Sequence, residues 1–546
     1  MLRSFLKMIS GEFKGYNGQK LSKDIMAGLT VTAVALPLAL AFGVSCGASA
    51  AAGLVTAIIG GIIIGLLSGA SFQISGPTGA MSAILVGIVG SFGLNGVFVV
   101  CFIAGVLLVL CALFKIGKLV EMIPRPVITG FTSGIAIIIA LGQIDNFFGT
   151  VSEGESAIEK LLSYGELGFT PNLHAMTLGL LVVVLMIAWP KKWNAKVPGS
   201  LVAIIVATIV CVLFKMDVPT VGEIPKTLFL SERLNFAGIE WNKFMDYLSP
   251  AISIAALGMI ESLLCGASAS RMKNEKFYAD QELLAQGIGN MVIPFFGGVP
   301  ATAAIARTSV AIKSGCQTRL TGVFSAIGLL LSMFLLGPVM AKLPLSALAG
   351  VLMVTAWRMN EWESIRYFFG KGFKRAISKF LITMIATVVF DLTIAILIGI
   401  AYSAVLFIFN AAGLKVDFSK VENKKFKGGS NENIEKLHQN TTVMYITGPI
   451  FFANVTKLSE SLKNVEDSCD YLICSMRGVP AIDITGTEFI VELCEDCIAH
   501  NRKIVFCGMN DRVKSMLVRA GVQDKLGEDA FQWSVDKVLS ESVQNA

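Results

Sequence analysis

The sequence predicts an α-helical polytopic membrane protein with fourteen transmembrane segments, followed by a small cytoplasmic α/β domain. The first observation is composition: 54% of the 546 residues are hydrophobic and only 15% are charged, whereas soluble domains carry about 25% charged residues. The second is that apolar runs suited to crossing a bilayer recur as far as Leu414. The third is that the chain then turns polar and alternates strand-like with helix-like segments.

Fourteen apolar runs account for the predicted passes. A bilayer core about 30 Å thick requires roughly 20 apolar residues in helical form. Long runs begin near Ile25, Gly47, Val97, Pro126, Met176, Ser200, Pro250, Leu320, Ile377 and Leu392. Shorter runs occupy residues 77–89, 286–296, 303–312 and 346–357. Residues 1–24 are therefore predicted as a cytoplasmic N-terminal segment and 25–414 as the membrane domain.

The charges of the loops agree with this count, because cytoplasmic loops are enriched in Lys and Arg. With the basic N-terminal segment inside, the loops after passes 4, 6, 8, 10 and 12 should be basic. They contain Lys115, Lys118 and Arg125; Lys191, Lys192 and Lys196; Arg271, Lys273 and Lys276; Lys313 and Arg319; and Arg358, Arg366, Lys371, Lys374, Arg375 and Lys379. The loop after pass 5 is acidic, with four Glu residues from Glu153 to Glu166. Both termini are therefore expected in the cytoplasm and the protein in the cell inner membrane.

The C-terminal part has a different pattern. Residues 415–437 are polar and charged and are predicted to be a linker. Over 438–546, strand-like runs such as Thr442–Ile446 and Tyr471–Met476 alternate with helical segments such as Thr487–Ala499. This order predicts a compact α/β domain of about a hundred residues with a parallel sheet.

One group of residues in this domain has spacing that could bind zinc: Cys494, Cys497, His500 and Cys507. The first three lie three residues apart on a predicted helix. The same spacing describes the buried face of an amphipathic helix, which we favour. No metal and no cofactor is predicted.

Two of the short runs follow extended backbone rich in Gly and Pro, at Ser71–Ala80 and at Gly297–Thr308. They belong to passes 3 and 10, which occupy equivalent places in two sets of seven. An odd number of passes in each set makes the two halves inverted. A pair of broken segments at equivalent places indicates a binding site near the middle of the membrane. The alternative is that Gly and Pro only allow tight helix packing.

The chemistry of these segments favours an anion. A helix that begins within the membrane presents free backbone N–H groups and a positive dipole end, so two such starts can bind an anion with few side chains. Arg307 in pass 10 is a fixed positive charge, whereas Glu261 in pass 8 can titrate and carry a proton or bind a cation. Intramembrane charges cost at least about 2.5 kcal/mol and are usually functional. The alternative is a structural Glu261–Arg307 salt bridge.

Several short motifs follow one another along nearly the whole chain. They are Ala27–Thr30 with Leu36–Pro37 and Ala41–Phe42, Ile74–Thr78, Pro124–Val127 with Gly130–Phe131, Ile260–Ser262, and Gly289–Asn290 with Gly297–Gly298 and Arg307–Thr308. Together they resemble the SulP (sulfate permease) family of anion transporters. Gly478–Asp483 is similar to the recognisable loop of a STAS domain, so residues 438–546 are predicted to be one.

The resemblance implies a 7+7 inverted repeat, a core and a gate domain that move in an elevator-like way, and a homodimer. It implies that passes 1, 3 and 10 contact the substrate through Phe42, Thr78, Gly79, Ala304, Ile305, Ala306 and Arg307. It also implies a coupling-ion site at Glu261, with Cys265 one turn further along pass 8.

The chain departs from the family at several positions. Leu38 stands where many members have Gln, and Ala304 and Ala306 offer only backbone where several members have hydroxyls. We therefore expect a site that depends on backbone N–H groups. Cys265 stands beyond the acidic residue, where sodium-coupled relatives add hydroxyls, and this favours protons. In the STAS domain, Ile484 replaces the phosphorylated serine of bacterial anti-sigma antagonists, which argues against a phosphorylation switch there.

The predicted function is secondary active transport of small inorganic or organic anions, sulfate first, by proton-coupled symport. The alternatives are a sodium-coupled bicarbonate carrier, a proton-coupled C4-dicarboxylate carrier and an uncoupled exchanger. A nucleobase carrier is disfavoured by Arg307 and the STAS domain, and an enzyme by the lack of a nucleophile–base pair in the membrane part. Expected partners are the anion, a proton or sodium ion, the bilayer, a second copy, and a cytoplasmic protein or nucleotide at the STAS domain. The net charge of +6 is too scattered to indicate nucleic acid.

Overall fold

The computed structural model describes residues 2–117, 123–154, 157–190, 197–235, 244–390, 392–411, 413–420, 440–462 and 469–544. The chain divides into two compact units, Met1–Ala401 and Tyr402–Ala546. The first unit is helical, and the second is built on a five-stranded sheet.

Helices make up most of the N-terminal unit, and the last of them continues past its end at Ala401. In chain order the helices are α1 (Leu2–Glu12), α2 (Gly18–Ser45), α3 (Ala50–Leu67), α4 (Gly79–Leu113), α5 (Arg125–Gly142), α6 (Ile144–Phe148), α7 (Ala157–Leu167), α8 (Leu173–Ala188), α9 (Gly199–Leu213), α10 (Phe244–Lys273), α11 (Ala279–Val292), α12 (Ile305–Lys313), α13 (Leu320–Met340), α14 (Leu345–Met359), α15 (Trp362–Gly370), α16 (Lys374–Val389) and α17 (Leu392–Ala411). In the described ranges, six helical stretches are long and apolar enough to cross a membrane. They are α2, α3, α4, α5 continued by α6, α10 and α13, and four shorter helices are also apolar.

The apolar runs predicted as passes 3 and 4 lie within the single helix α4. Gly93 interrupts this helix with φ 67° and ψ −176°, a conformation that residues with a side chain rarely adopt. A straight helix of this length would measure roughly 50 Å, far more than a bilayer core of about 30 Å. Gly93 therefore lets the chain change direction between two helical halves without an intervening loop.

The long helices pack in two groups. In one group, α4 packs against α10 and α11, and α13 packs against α2 and α3. In the other, α16 packs against α5, and α14 packs against α8. The first group contains very close backbone contacts: a Cβ added to Gly53 of α3 would lie 2.0 Å from Ala39 O of α2. A Cβ added to Gly105 of α4 would lie 2.7 Å from Gly287 O of α11. Glycine is thus required for the close packing of these helices.

Two very short strands connect the broken segments. The strands β1 (Ser75–Gly76) and β2 (Thr302–Ala303) pair in antiparallel fashion. Ala304 N extends the pairing by donating to Ile74 O at 2.9 Å. Non-helical backbone within a membrane protein must satisfy its polar groups inside the protein, and here each broken segment satisfies the other. We call this pairing the crossing.

The C-terminal unit is an α/β domain. Its sheet has the spatial order β3 (Lys415–Lys420), β4 (Thr441–Thr447), β5 (Tyr471–Gly478), β6 (Lys503–Cys507) and β7 (Phe531–Gln532). The first pair of strands is antiparallel and the other neighbours are parallel. The described helices are α18 (Val455–Leu462), α19 (Ile484–Ala499), α20 (Asp511–Arg519), α21 (Val522–Leu526) and α22 (Val535–Gln544). The predicted alternation of strands and helices is confirmed.

The predicted linker over 415–437 is wrong at its start, because Lys415–Lys420 forms β3 and pairs with β4 along its whole length. Val416 and Phe418 are partly buried against the core of the unit, while the residues between and after them are exposed. Only two apolar residues therefore mark this polar edge strand, too few for the sequence pattern to identify it. The rest of the predicted linker, 421–437, lies outside the described residues.

The candidate zinc ligands are part of the domain core. Cys494, Cys497 and Cys507 are buried, and His500 is exposed, with Nδ1 2.9 Å from Asp496 O. Burial raises the pKa of the Cys494 thiol to about 12 and that of Cys497 to about 11. Both are therefore protonated at neutral pH, whereas zinc binds the thiolate. Within the described ranges, no group of three or more His, Cys, Asp or Glu residues could hold a metal ion.

Candidate functional site

Two helices begin at the crossing and leave it in opposite directions. α4 begins at Gly79 after Thr78, whose hydroxyl accepts a hydrogen bond from Met81 N at 3.5 Å and so caps the helix. α12 begins at Ile305 after Ala304, which has no side-chain cap. Because β1 and β2 are antiparallel, the two helix starts lie on opposite sides of the short sheet. Each start presents backbone N–H groups and the positive end of a helix dipole.

Glu261 of α10 connects the two broken segments. Its Oε2 accepts a hydrogen bond from Thr302 Oγ1 of β2 at 2.7 Å and one from Thr78 Oγ1 at 2.9 Å. The two hydroxyl oxygens are themselves 3.3 Å apart. The carboxylate therefore contacts the cap of α4 and the strand that precedes α12. Such a carboxylate–hydroxyl cluster can accept a proton or offer oxygen ligands to a cation.

Arg307 of α12 is buried behind the crossing, with 1% of its surface exposed. Its Nη2 donates to Pro77 O at 2.5 Å, and a Cβ added to Gly76 would lie 2.5 Å from Nη1. The guanidinium thus lies directly against the backbone of the first broken segment. In the described part of the chain no Arg307 nitrogen lies within 4.0 Å of a Glu261 oxygen, so the alternative of a direct salt bridge between them is wrong.

The other predicted residues lie in three places. Phe42 of α2 is buried, and its Cε1 would lie 3.0 Å from a Cβ at Gly79. Ile305 and Ala306 are exposed at the start of α12, on the side away from the buried Arg307. Cys265 Sγ lies 3.5 Å from Thr308 Oγ1 and has no described contact with the Glu261 carboxylate. The structure therefore brings Phe42 close to Gly79 and separates Cys265 from the hydroxyl cluster.

Two functional groups were missed by the sequence analysis: the Thr302 hydroxyl and the Pro77 carbonyl. Thr302 precedes the start of α12 by three residues, as Gly76 precedes the start of α4. This equivalent position relative to the two helix starts was the signal that could have pointed to Thr302. In the structure Gly76 and Thr302 are direct partners in the short sheet. Every residue has a backbone carbonyl group, so the sequence could not show that Pro77 O accepts a hydrogen bond from Arg307.

Polar side chains of neighbouring helices hold the crossing in place. Asn290 of α11 pairs with both backbone groups of Ala301, donating at 2.9 Å and accepting at 2.7 Å. Thr56 Oγ1 of α3 accepts from Val299 N at 2.7 Å. Gln286 Nε2 donates to Ser75 Oγ at 2.9 Å. The bonds of Asn290 and Thr56 satisfy the irregular backbone inside the bundle, as required away from water, and together with the Gln286–Ser75 bond they preorganise the two helix starts.

A cleft of about 410 Å³ reaches the start of α4. Its walls belong to α4 and α10 of the first helix group and to α5 and α16 of the second. The cleft therefore lies between the two groups. Gly79 and Ser82 line its inner part, and Ile139, Ser253 and Thr387 line the facing walls. A small solute can therefore approach the first turn of α4 through a passage with both apolar and hydroxyl walls.

A helical membrane unit with paired broken segments, a buried arginine and a partly buried carboxylate has the features of a secondary transporter. A family model described as the sulfate permease family matches residues 21–386, and one described as the STAS domain matches residues 433–541. The chain belongs to the sulfate permease family and carries a C-terminal STAS domain, which confirms the resemblance seen in its motifs. It is thus a multi-pass protein of an anion transporter family.

Relatives along nearly the full chain carry transporter names. A Bacillus subtilis (strain 168) protein named "Putative sulfate transporter YvdB" is 36% identical over 532 residues, covering 96% of this chain and 98% of the relative. The bicarbonate transporter BicA of Picosynechococcus sp. (strain ATCC 27264 / PCC 7002 / PR-6) is 27% identical over 540 residues, covering 95% and 94%. Sulfate and bicarbonate are thus both represented among the relatives.

Two solved structures have the same architecture. The transmembrane domain of a cyanobacterial bicarbonate transporter BicA covers 70% of this chain and 98% of its own, with 30% sequence identity and a TM-score of 0.65. Murine Slc26a9, an anion transporter solved in the inward-facing state, covers 100% of this chain and 95% of its own. Its identity is 16% and its TM-score is 0.85, so this likeness concerns the fold alone.

Proposed function

We propose that this protein is a secondary active transporter that moves small anions, sulfate first among them, together with protons. The anion binds between the N-termini of α4 and α12, and Glu261 carries the proton. The observation behind this proposal is the crossing, after which α4 and α12 begin beside one partly buried carboxylate and one buried guanidinium.

Anion binding rests mainly on backbone. Gly79 opens α4 without a side chain, so an anion can approach the N–H groups of the first turn closely. Ile305 and Ala306 are exposed at the start of α12 and leave its first turn accessible. Arg307 adds a fixed positive charge behind the crossing, where the surrounding protein screens it less than water does. Few side-chain ligands are needed for a small anion at such a site.

Glu261 links proton binding to the anion site through Thr78. When the carboxylate is ionised, the Thr78 hydroxyl donates to it at 2.9 Å. When the carboxyl is protonated, a hydroxyl can instead accept from it, because hydroxyl groups do both. Thr78 caps the first turn of α4, where the anion binds. Protonation of Glu261 therefore changes the hydrogen bonding of a residue that adjoins the bound anion. A proton also removes a negative charge inside the membrane unit that would repel the anion.

The transport movement follows from the two helix groups. We propose fourteen membrane crossings in a 7+7 inverted repeat, with both termini in the cytoplasm of a cell inner membrane. The core comprises α2–α4 and α10–α13, and the gate comprises α5, α8, α9, α14, α16 and α17. The anion travels with the core in an elevator-like movement, and a homodimer of gates provides the fixed frame. The segment 25–414 forms this transport domain, and 438–546 forms the STAS domain.

Sodium-coupled bicarbonate transport is a second candidate, and a specific observation favours it. The hydroxyls of Thr78 and Thr302 surround the Glu261 carboxylate with oxygen atoms, the ligands that hard cations prefer. These hydroxyls come from the crossing, so the position of Cys265 no longer argues against sodium. A C4-dicarboxylate carrier and an uncoupled exchanger remain further alternatives and differ in the same transport assay.

Uptake into proteoliposomes tests the proposal. Radiolabelled sulfate, bicarbonate and fumarate are offered in turn, with an inward proton gradient and then with an inward sodium gradient. Sulfate accumulation that follows the proton gradient is the expected result. Accumulation of bicarbonate with sodium alone would establish the second candidate, and exchange without either gradient would exclude coupled transport.

Two variants on the same helix assign the coupling. Glu261→Gln removes the titratable group but keeps hydrogen-bonding atoms, and is expected to abolish gradient-driven accumulation while the protein stays folded. Asp246→Asn lies in the exposed first turn of α10 and serves as the matched control. Proton-driven accumulation retained in Glu261→Gln would contradict the assigned role.

We also propose that the STAS domain binds a cytoplasmic protein or a nucleotide. Asp483 caps α19 by accepting from Gly486 N at 2.8 Å, and it also accepts from Phe452 N at 2.9 Å. Phe452 and Ile484 are exposed beside this loop. Calorimetric titration of the full-length protein with ATP and GTP tests the nucleotide: saturable heat supports it, and no heat directs the search to a protein.

A further inference from the structure

The short helix α15 has one face that no part of the proposed transport mechanism uses. Trp362, Ile365, Arg366 and Phe369 lie at positions i, i+3, i+4 and i+7, so they share one side of the helix. Together with Trp357 at the end of α14 they line a cavity of about 300 Å³. We call it the aromatic cavity. On other sides of the helix, Ser364 and Phe368 are buried in the bundle.

The aromatic walls of this cavity are fixed in place. Trp362 Nε1 donates to Trp357 O at 3.0 Å, and the two indole rings lie 4.5 Å apart between centroids, at an angle of 40°. Trp357 nevertheless exposes 65% of its surface, and Tyr367 exposes 57%. Exposed Trp and Tyr residues concentrate at the level of lipid headgroups, where their rings contact both acyl chains and polar groups.

The segment of chain that contains α15 is rich in basic residues. Between Trp357 and Lys379 the chain has six basic residues and two acidic ones. One of the acidic residues, Glu361, is engaged by the bundle, since its Oε2 accepts from Thr129 Oγ1 at 3.1 Å and from Ser364 Oγ at 2.9 Å. Arg366 is exposed on the cavity side of α15. An anionic ligand therefore meets an excess of positive charge.

The position of α15 between α14 and α16 indicates the kind of ligand. It follows the apolar helix α14 after two residues and precedes α16, which packs against α5, after three. A short amphipathic helix between two helices of a membrane unit lies at the membrane boundary, with its basic residues at the headgroups. The cavity thus opens where an acyl chain can contact indole rings while a phosphate contacts a guanidinium.

We propose that the aromatic cavity binds an anionic glycerophospholipid. The lipid phosphate accepts hydrogen bonds from Arg366, which suits the planar guanidinium. The glycerol and the upper acyl chains pack against Trp357, Trp362 and Phe369. A zwitterionic lipid would bring its own positive group into this basic region, so the site discriminates by headgroup charge. This inference requires only that the unit is embedded in a membrane, and it stands whatever the transported anion proves to be.

Tryptophan quenching by brominated lipids tests the proposal. In a variant with Trp189, Trp193, Trp241 and Trp533 replaced by Phe, emission comes only from Trp357 and Trp362. The full-length protein is reconstituted into phosphatidylcholine vesicles that contain 10 mol% of lipid brominated on its acyl chains. We expect brominated phosphatidylglycerol to quench more strongly than brominated phosphatidylcholine, with an apparent preference of about fivefold, the effect of one basic residue near the surface.

Three arginine variants separate a specific site from general attraction. Arg366→Gln is expected to lose the preference, and Arg366→Lys to retain most of it. Arg375→Gln removes an exposed charge that does not line the cavity, and is expected to keep the preference. Equal loss in Arg366→Gln and Arg375→Gln would overturn the site in favour of diffuse attraction. Equal quenching by the two lipids, or by neither, would also overturn it.

Two further measurements show whether the variants are correctly folded and whether the ligand is a lipid or a soluble phosphate. Native mass spectrometry of the unmodified protein counts retained lipids, and we expect phosphatidylglycerol to remain bound in preference to phosphatidylcholine. Loss of that preference in Arg366→Gln, with an unchanged elution volume in size exclusion, supports the proposal. Relief of quenching by millimolar glycerol 1-phosphate would identify a site for soluble phosphates and exclude the lipid.

Discussion

The hydroxyl of Thr302 donates a 2.7 Å hydrogen bond to the carboxylate of Glu261. This bond joins a residue of the second broken segment to the middle of α10. Thr78 of the first broken segment donates to the same oxygen. One carboxylate oxygen thereby contacts the N-cap of α4 and the strand that precedes α12, so changes in its protonation or ligation reach both helix starts.

Thr302→Val should weaken coupling more than folding. The change keeps the shape of the side chain and removes the hydroxyl, so Glu261 loses a charge-assisted bond of about 1.5–3 kcal/mol. We expect the driving-ion concentration for half-maximal uptake to shift by at least tenfold in proteoliposomes. Thr302→Ser keeps the hydroxyl and is the control, expected to retain the original value. An unchanged ion dependence in Thr302→Val would remove Thr302 from the coupling site.

Gly76→Ala should displace Arg307. The new Cβ would lie 2.5 Å from Nη1 of the guanidinium and 3.4 Å from Cα of Ala57. Overpacking of this kind costs about 1–3 kcal/mol, and we expect weaker anion binding by calorimetry together with a lower unfolding temperature. Gly65→Ala in α3 is the control, because no heavy atom would lie within 4 Å of its Cβ. Equal anion affinity in both variants would show that the guanidinium position does not matter.

Arg307→Ala should weaken anion binding by at least tenfold. It removes a fixed positive charge and leaves Pro77 O without its charged donor, a buried loss of about 1.5–3 kcal/mol. Arg307→Lys retains the charge with a single point of contact and should recover part of the affinity. Titration with sulfate by calorimetry measures the difference. Unchanged affinity in Arg307→Ala, with only lower thermal stability, would mean that the arginine is structural.

Glu12→Gln should destabilise the membrane unit strongly. Glu12 and Arg319 form an ion pair at 2.8 Å, and their side chains are 7% and 2% exposed. Removing one partner of a buried pair costs about 3–5 kcal/mol, because the other charge stays buried. Arg125→Gln breaks the exposed, 3.8 Å pair with Glu361 and should cost less than about 1 kcal/mol. Unfolding midpoints in detergent compare the two, and similar midpoints would contradict the prediction.

The STAS domain should lose stability at high pH. Burial raises the pKa of the Cys507 thiol to about 12, as it does for Cys494. An unfolded thiol ionises near pH 8.5, so above that pH the unfolded state releases protons that the folded state keeps. The stability contribution is complete below about pH 8.5 and is lost as pH rises towards 12. Pulsed maleimide labelling in urea should give a lower midpoint at pH 10 than at pH 7.5. Replacing both cysteines with Ala should reduce that difference.

The helical content and the two broken segments could be predicted from the sequence, because both depend on the residue types present. Long apolar runs identify membrane helices, and Gly and Pro before Gly79 and Ile305 identify the broken segments. Gly93 could not be assigned as the point where α4 turns, since glycine is frequent throughout these helices. The edge strand β3 was missed because its neighbour in the sheet, and not its own composition, determines its conformation.

The contacts within the site could not be predicted in the same way. Glu261 and Thr302 are 41 residues apart, and Glu261 and Thr78 are 183 apart. Only the pairing of β1 with β2 brings these three side chains together. Sequence reasoning instead grouped Glu261 with Cys265, its neighbour on the helix, although the cysteine contacts Thr308.

The crossing also sets an order of events during synthesis. Arg307 follows Pro77 by 230 residues, yet the two are hydrogen-bonded and their strands complete one another. At roughly 5–20 residues per second, the first broken segment waits about 10–50 s for its partner to emerge from the ribosome. During that time its backbone N–H and C=O groups lack their final hydrogen-bond partners and cannot be exposed to lipid. They must lie among the helices already inserted or within the insertion machinery. The time for which the first broken segment stays unpaired therefore depends on how fast the second half of the chain is translated.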